Sequence, residues 1–157
     1  MLSGIVREHG MKVVLTGEGA DEVFGGYDIC KEAKVRRFWS RQPEADERAA
    51  LLGELYGDVF RDRRARTFLR SFFGGGLDRP DDPLFSHMVR WNDTERTKVF
   101  FSEELKTAVG DADPRDRVRR SLPDKYGQLD TVAKAQYLET IIFLSNYLLS
   151  SQGDRVA

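Results

Sequence analysis

Apolar positions recur at helical spacing along most of the chain. Leu2, Ile5 and Val6 share one face and Gly10 follows as a stop signal, which predicts a helix at the very start. Lys12-Val13-Val14-Leu15-Thr16 breaks that pattern: a short, β-branched, apolar run between Gly10 and Gly17. It reads as a buried strand of a parallel sheet fed by the preceding helix, and it is the one convincing strand. From Gly17 to Tyr27 the chain is glycine-rich, with a short helical turn expected around residues 20–24.

Helical spacing then returns. Residues 31–41 carry an apolar stripe of Val35, Phe38 and Trp39, ended by Pro43. Residues 44–56 repeat it with Ala49, Leu51, Leu52 and Leu55, and residues 59–73 with Phe60, Phe68, Leu69, Phe72 and Phe73, until Gly74-Gly75-Gly76 intervenes. Residues 78–83 form a loop punctuated by Pro80 and Pro83, and 83–91 a short helix. Asp93 or Thr94 is placed to cap a following turn, Ser102 before Glu103-Glu104 to cap another, and Asp113-Pro114 to open a third. Residues 129–150 are the longest helix. Leu138, Ile141, Ile142, Leu144, Tyr147 and Leu148 make it apolar over much of its surface, so burial is expected. There is no internal repeat and no low-complexity tract.

Composition narrows the class. The 157 residues are 40% hydrophobic and 32% charged, which suits one helix-rich domain or a large part of one. A net charge of −1 gives no electrostatic reason to expect nucleic acid or an anionic membrane as partner. The single cysteine, Cys30, excludes an internal disulfide, and with two histidines makes a zinc site a poor expectation. No apolar run is long enough to span a bilayer and no secretory signal opens the chain, so a cytoplasmic setting is the default. Both ends look cut: a helix begins at the first residue, and the polar stretch 152–157 has just left an apolar helix.

The chemistry concentrates at residues 15–27. A strand leading through a glycine loop into a helix is where open α/β sheets bind ligands, and backbone N–H groups at a helix start favour phosphate. Gly17 and Gly19 leave room for close approach. Glu18, Asp21 and Glu22 would repel a phosphate unless a divalent cation lay between, and Mg²⁺ binds through one or two carboxylates plus phosphate oxygens. The plainer alternative stays open: first-turn acids complement a helix dipole, and glycines serve tight turns.

The stretch Val14-Leu15-Thr16-Gly17-Glu18-Gly19-Ala20-Asp21-Glu22-Val23-Phe24-Gly25-Gly26-Tyr27 closely resembles the corresponding stretch of glutamine-dependent asparagine synthetases. A second resemblance lies where Tyr147-Leu148-Leu149 leads into Gln152-Gly153-Asp154-Arg155-Val156-Ala157, similar to that family's helix end and acid–arginine pair. The resemblance implies an α/β fold, here strongly helix-dominated with few strands: part of a synthetase domain of the PP-loop ATP pyrophosphatase (adenine nucleotide alpha hydrolase-like) type. Residues 1–30 would be the strand and nucleotide loop, and 31–157 the mostly helical region.

It also implies adenylation of the aspartate side-chain carboxylate by ATP, followed by attack of glutamine-derived ammonia to give asparagine. Thr16 and Gly17 would lie against the AMP part, with Gly19 in the same nucleotide-binding backbone. Glu18 would sit at the reacting acyl centre, handling the proton of the attacking ammonia. Asp21 would bind Mg²⁺ on the pyrophosphate, and Asp154 and Arg155 would lie beside the substrate. A homodimer is compatible with this reading.

Departures from the family pattern matter too. Its pyrophosphate loop, a serine followed by two glycines and an aspartate–serine pair, is not found ahead of residue 12. The glutaminase domain is absent, and the pyrophosphate-binding lysine would lie beyond Ala157. This stretch alone is therefore not expected to complete the reaction. Rival readings are a ring-closing relative, such as a β-lactam synthetase or a lasso-peptide cyclase, and a non-catalytic binding module of the same fold.

Other residues have simpler readings. Arg61, Arg63, Arg64, Arg66 and Arg70 among phenylalanines suit a solvated helix face better than a nucleic-acid surface. His87 and Trp91, four residues apart, suggest packing, and His9 complements a helix C-terminus. Cys30 reads as a small, semi-buried hydrophobe.

Overall fold

The computed structural model describes residues 2–14, 17–57 and 63–154, and among them the chain is helical almost throughout. In chain order the α-helices are α1 (Leu2–Glu8), α2 (Ala20–Phe24), α3 (Asp28–Trp39), α4 (Asp46–Leu55), α5 (Arg63–Phe73), α6 (Phe85–Glu95), α7 (Glu103–Val109), α8 (Pro114–Ser121), α9 (Thr131–Leu138) and α10 (Leu149–Asp154). Tight 3-10 turns occupy Arg96–Phe100 and Asp124–Gln128, and a π-helical segment, Glu139–Leu148, joins α9 to α10 in one rod.

The capping residues act largely as their spacing predicts. Ser102 accepts from Leu105 N at 3.2 Å, and Asp113 accepts from Arg115 N at 2.9 Å with Pro114 opening α8. His9 Nδ1 lies 2.9 Å from the Ile5 carbonyl, which also accepts the His9 backbone N–H at 3.1 Å at the end of α1. Asp93 and Thr94 correct the expectation: they start no turn, because α6 runs through them to Glu95. Thr94 Oγ1 instead donates back to the Arg90 carbonyl at 2.9 Å, a bond that suits a threonine inside a helix.

Helix α3 is the axis of the molecule. Ile29, Cys30 and Ala33 pack against Ala135 of α9. Trp39, at its far end, joins Ala49, Leu52, Leu69, Phe73, Leu77, Phe85 and Val89, which brings α4, α5 and α6 together. A third cluster of Leu84, Tyr126 and Leu138 ties α6 to α9.

Two buried charges lock these layers. The Arg36 guanidinium donates to the carbonyls of Phe73, Gly75 and Phe85 at 2.9, 2.6 and 2.9 Å, and lies 4.3 Å from the Phe85 ring centroid. Two of these, Phe73 and Gly75, lie at and just beyond the end of α5, which cannot pair them internally. Burial pushes its pKa down to about 10, still well above neutrality. Glu32 is buried and bound at both oxygens by Arg90, each at 2.6 Å, which fixes α3 to α6.

Two expectations are corrected. Residues 12–14 form no strand, and Val13 and Val14 are 77% and 49% exposed rather than buried. A strand is stable only when a neighbour pairs its backbone, and no second strand stands among the described residues. Leu15 and Thr16, the rest of that run, lie outside the described residues.

The long helix is buried only along its first half, at Ala135, Leu138 and Glu139. Helices α2, α3 and α6 cover one face of it, while Tyr147 and Leu149 stand 56% and 55% exposed. No helix among the described residues is long and apolar enough to cross a membrane.

Candidate nucleotide loop on helix α2

The loop and α2 are placed by their contacts with the long rod. Gly19 precedes α2 in the left-handed region, φ 99°, where a side chain would be strained. A Cβ there would also meet Leu144 of the π-helical segment at 3.2 Å. Gln136 Nε2 donates to the Val23 carbonyl at 2.8 Å, close to the other end of α2. The Tyr27 ring stands edge-on to Phe143, centroids 5.8 Å apart. Gly26 is glycine for a different reason: a Cβ would collide with the Asp21 carboxylate, which folds back over it. The Gly26 N–H also donates to the Asp21 carbonyl at 2.9 Å.

The three acids of the loop, alike in sequence, separate in space. Glu18 and Asp21 are exposed, whereas Glu22 is 1% exposed and accepts the Tyr27 hydroxyl at 2.7 Å. That hydrogen bond, then burial, then the charges of Glu22, Asp21 and Glu139 raise the Tyr27 phenol well above its ordinary value, so it remains a neutral donor. Sequence reasoning grouped Glu22 with the other two. The missed signal is Tyr27, a phenol five residues on that needs a polar partner once its ring packs.

Beneath the loop the interior is unusually ionic. Glu32 and Glu139 are buried beside Cys30, and burial first, then those two charges, push the Cys30 thiol up. The cysteine is fully buried rather than half-buried, and its surroundings keep it a thiol. His87 packs on Trp91, ring centroids 5.1 Å apart, as the spacing suggests. What the spacing could not reveal is that His87 Nε2 lies 3.1 Å from Glu139 Oε1 without the alignment of a hydrogen bond, while Nδ1 is 2.9 Å from Ser86 Oγ.

Of the other candidate residues, Gly17 and Gly19 border the loop as expected, and Thr16 and Arg155 lie outside the described residues. Asp154 ends α10. Arg64 is exposed and Arg70 pairs with Asp46, in keeping with a solvated face. Among the described residues no group of three or more His, Cys, Asp or Glu side chains could hold a metal ion by itself. Glu18 and Asp21 do suit an ion that arrives with phosphate oxygens of its own, the usual mode of Mg²⁺. A cavity of about 380 Å³, lined by Trp91, Phe101, Pro114, Val118 and Ile142, shares no residue with the loop. Its charged rim is self-paired, Arg115 with both Asp113 and Glu95 and Lys98 with Glu95.

The model of the asparagine synthase family matches residues 1–157, and this chain belongs to that family. "Putative asparagine synthetase (glutamine-hydrolyzing) 1" of Methanocaldococcus jannaschii is 41% identical over 144 residues, covering 92% of this chain and 20% of its own length. The amidase chyE of Penicillium rubens is 28% identical over 173 aligned positions, covering 99% of this chain and 24% of its own length. The chain therefore spans a fifth to a quarter of these curated relatives, 20% of one and 24% of the other. No solved structure matches it significantly.

Proposed function

We propose that this chain carries part of the synthetase site of an ATP-dependent, amide-forming ligase. In this reading ATP adenylates the side-chain carboxylate of aspartate, and ammonia from glutamine displaces AMP to give asparagine. The observation that carries it is the sorting of the loop acids: Glu18 and Asp21 face outward from an anchored, glycine-rich loop in a chain of the asparagine synthase family. At Gly26 the Asp21 carboxylate takes the place a Cβ would fill, an arrangement that a surface helix with acids for solubility alone does not need. The identity to a protein named as a glutamine-hydrolyzing asparagine synthetase supports ammonia as the nucleophile.

Asp21 would hold Mg²⁺, which when bound neutralises pyrophosphate charge and favours its departure. The backbone of Thr16, Gly17 and Gly19 would line the AMP part, where no side chain at either glycine blocks approach. Glu18, carrying no buried partner, is free to accept the proton that the attacking ammonia must lose. A PP-loop sheet would supply the neighbour that residues 12–16 need to pair as a strand, and Asp154 and Arg155 would border the aspartate.

The test uses the protein expressed from its complete reading frame. Glu18→Ala and Asp21→Ala should each abolish aspartate- and ATP-dependent asparagine formation while glutamine hydrolysis continues. Unchanged asparagine formation in both variants contradicts the reading.

A further inference from the structure

We propose that Glu22 and Tyr27 form a positioning pair that sets the rotation of α2, and with it the direction of the Asp21 carboxylate. The inference rests on the adenylation reading above and assigns roles to two residues that reading leaves unused.

Helix α2 has five residues, far too few to hold a helical shape by its own hydrogen bonds. Its geometry must come from what it touches. Gln136 fixes a carbonyl near one end and Leu144 lies under the glycine at the other, but two points near an axis do not fix rotation about it. Glu22 is the single buried residue of α2, and it is the side chain that fixes that rotation. Turning α2 enough to release Glu22 would swing its neighbour Asp21 off the Gly26 backbone.

An apolar residue would be the cheaper occupant of that position. A carboxylate removed from water is costly unless it is well partnered. A leucine, however, can slide, whereas an acid bound by a phenol at 2.7 Å has one orientation. The phenol is itself directed by its edge-on contact with Phe143. The chain of contacts thus runs from the π-helical segment through Tyr27 to Glu22, and from there to the exposed acid one residue earlier.

The test is made on the protein from its complete reading frame, by aspartate-dependent exchange of labelled pyrophosphate into ATP. Tyr27→Phe keeps the ring and removes the hydroxyl. It should lower kcat about 10- to 100-fold with the KM for ATP changed by less than about 2-fold, and raise the Mg²⁺ concentration for half-maximal rate. Glu22→Gln still offers Tyr27 an oxygen and should stay within about 5-fold of the parent kcat, while Glu22→Leu should fall as far as Tyr27→Phe. The double variant Tyr27→Phe/Glu22→Leu should be no worse than Glu22→Leu alone.

A merely structural role would lower Tm without moving the Mg²⁺ dependence. Parent-like kcat and Mg²⁺ dependence in Tyr27→Phe overturn the proposal, as does a Glu22→Gln variant as inactive as Glu22→Leu, because Glu22 would then act through its charge. A parent that performs no exchange removes the adenylation reading itself, and the positioning role with it. An active parent with indifferent variants removes the positioning role alone.

Discussion

At the scale of single residues, the loop assigns opposite environments to acids that are neighbours in sequence. Asp21 and Glu22 are adjacent, yet one is exposed and the other 1% exposed. Residue type and spacing made the acid cluster visible, but not its division, because inward and outward faces of a five-residue helix depend on what lies beneath. Gly26 gives the sharpest local prediction. Gly26→Ala must displace the Asp21 carboxylate, so synthetase activity should drop at least about 10-fold while Tm changes by only a few degrees. Comparing turnover with a melting curve checks this.

Tyr27 adds a pH prediction. The phenol's ordinary pKa is about 10, and its hydrogen bond to Glu22 raises it in the fold. A raised folded value means the contribution is fully present below about pH 10 and is lost as pH climbs through the folded value. The stability gap between the parent and Tyr27→Phe in urea should therefore stay constant from about pH 7 to 9 and shrink above about 10. Arg36 is the corresponding prediction for the core. Arg36→Met strands the carbonyls of Phe73 and Gly75 and removes a donor from that of Phe85, and should cost on the order of 3–5 kcal/mol in urea unfolding.

At the scale of elements, the helices were legible where local chemistry decides. The expected turn at residues 20–24 is α2, the caps at Ser102 and Asp113 hold, and the glycines at 74–76 follow the end of α5. The spacing failed where the partner decides. Residues 12–14 have the composition of a strand and no ladder to join. The long helix carries apolar residues on more faces than its neighbours cover.

The π-helical stretch was also invisible, since nothing in apolar periodicity separates it from an α-helix of the same residues. Its ladder runs five residues back, as the Asn146 side chain also does in reaching the Ile141 carbonyl at 3.0 Å. This segment and α9 carry the supports of the loop. Gln136→Ala removes the tie to Val23 and Leu144→Ala removes the packing under Gly19. Each should reduce synthetase turnover several-fold, and amide hydrogen exchange at residues 20–24 should speed up in both. Unaltered exchange there would mean that the rod does not hold the loop.

At the scale of the whole molecule, helices α3, α4, α5, α6 and α9 form one ionic, interlocked layer, with Arg36 and Glu32 joining what three apolar clusters fill. Residues 11–14, exposed and forming no strand, precede the loop whose acids face solvent. The family of the chain was readable from residues 14–27, where the resemblance runs unbroken through the loop. The helical layer carries no comparable motif, since many sequences satisfy the same packing.

The central claim is that Asp21 serves adenylation of a carboxylate. Aspartate-dependent exchange of labelled pyrophosphate into ATP measures that step directly, without ammonia or glutamine. With the protein from its complete reading frame, exchange should require aspartate and Mg²⁺ and disappear in Asp21→Ala. Exchange that survives Asp21→Ala unchanged, or a parent that shows none with aspartate, would contradict the account.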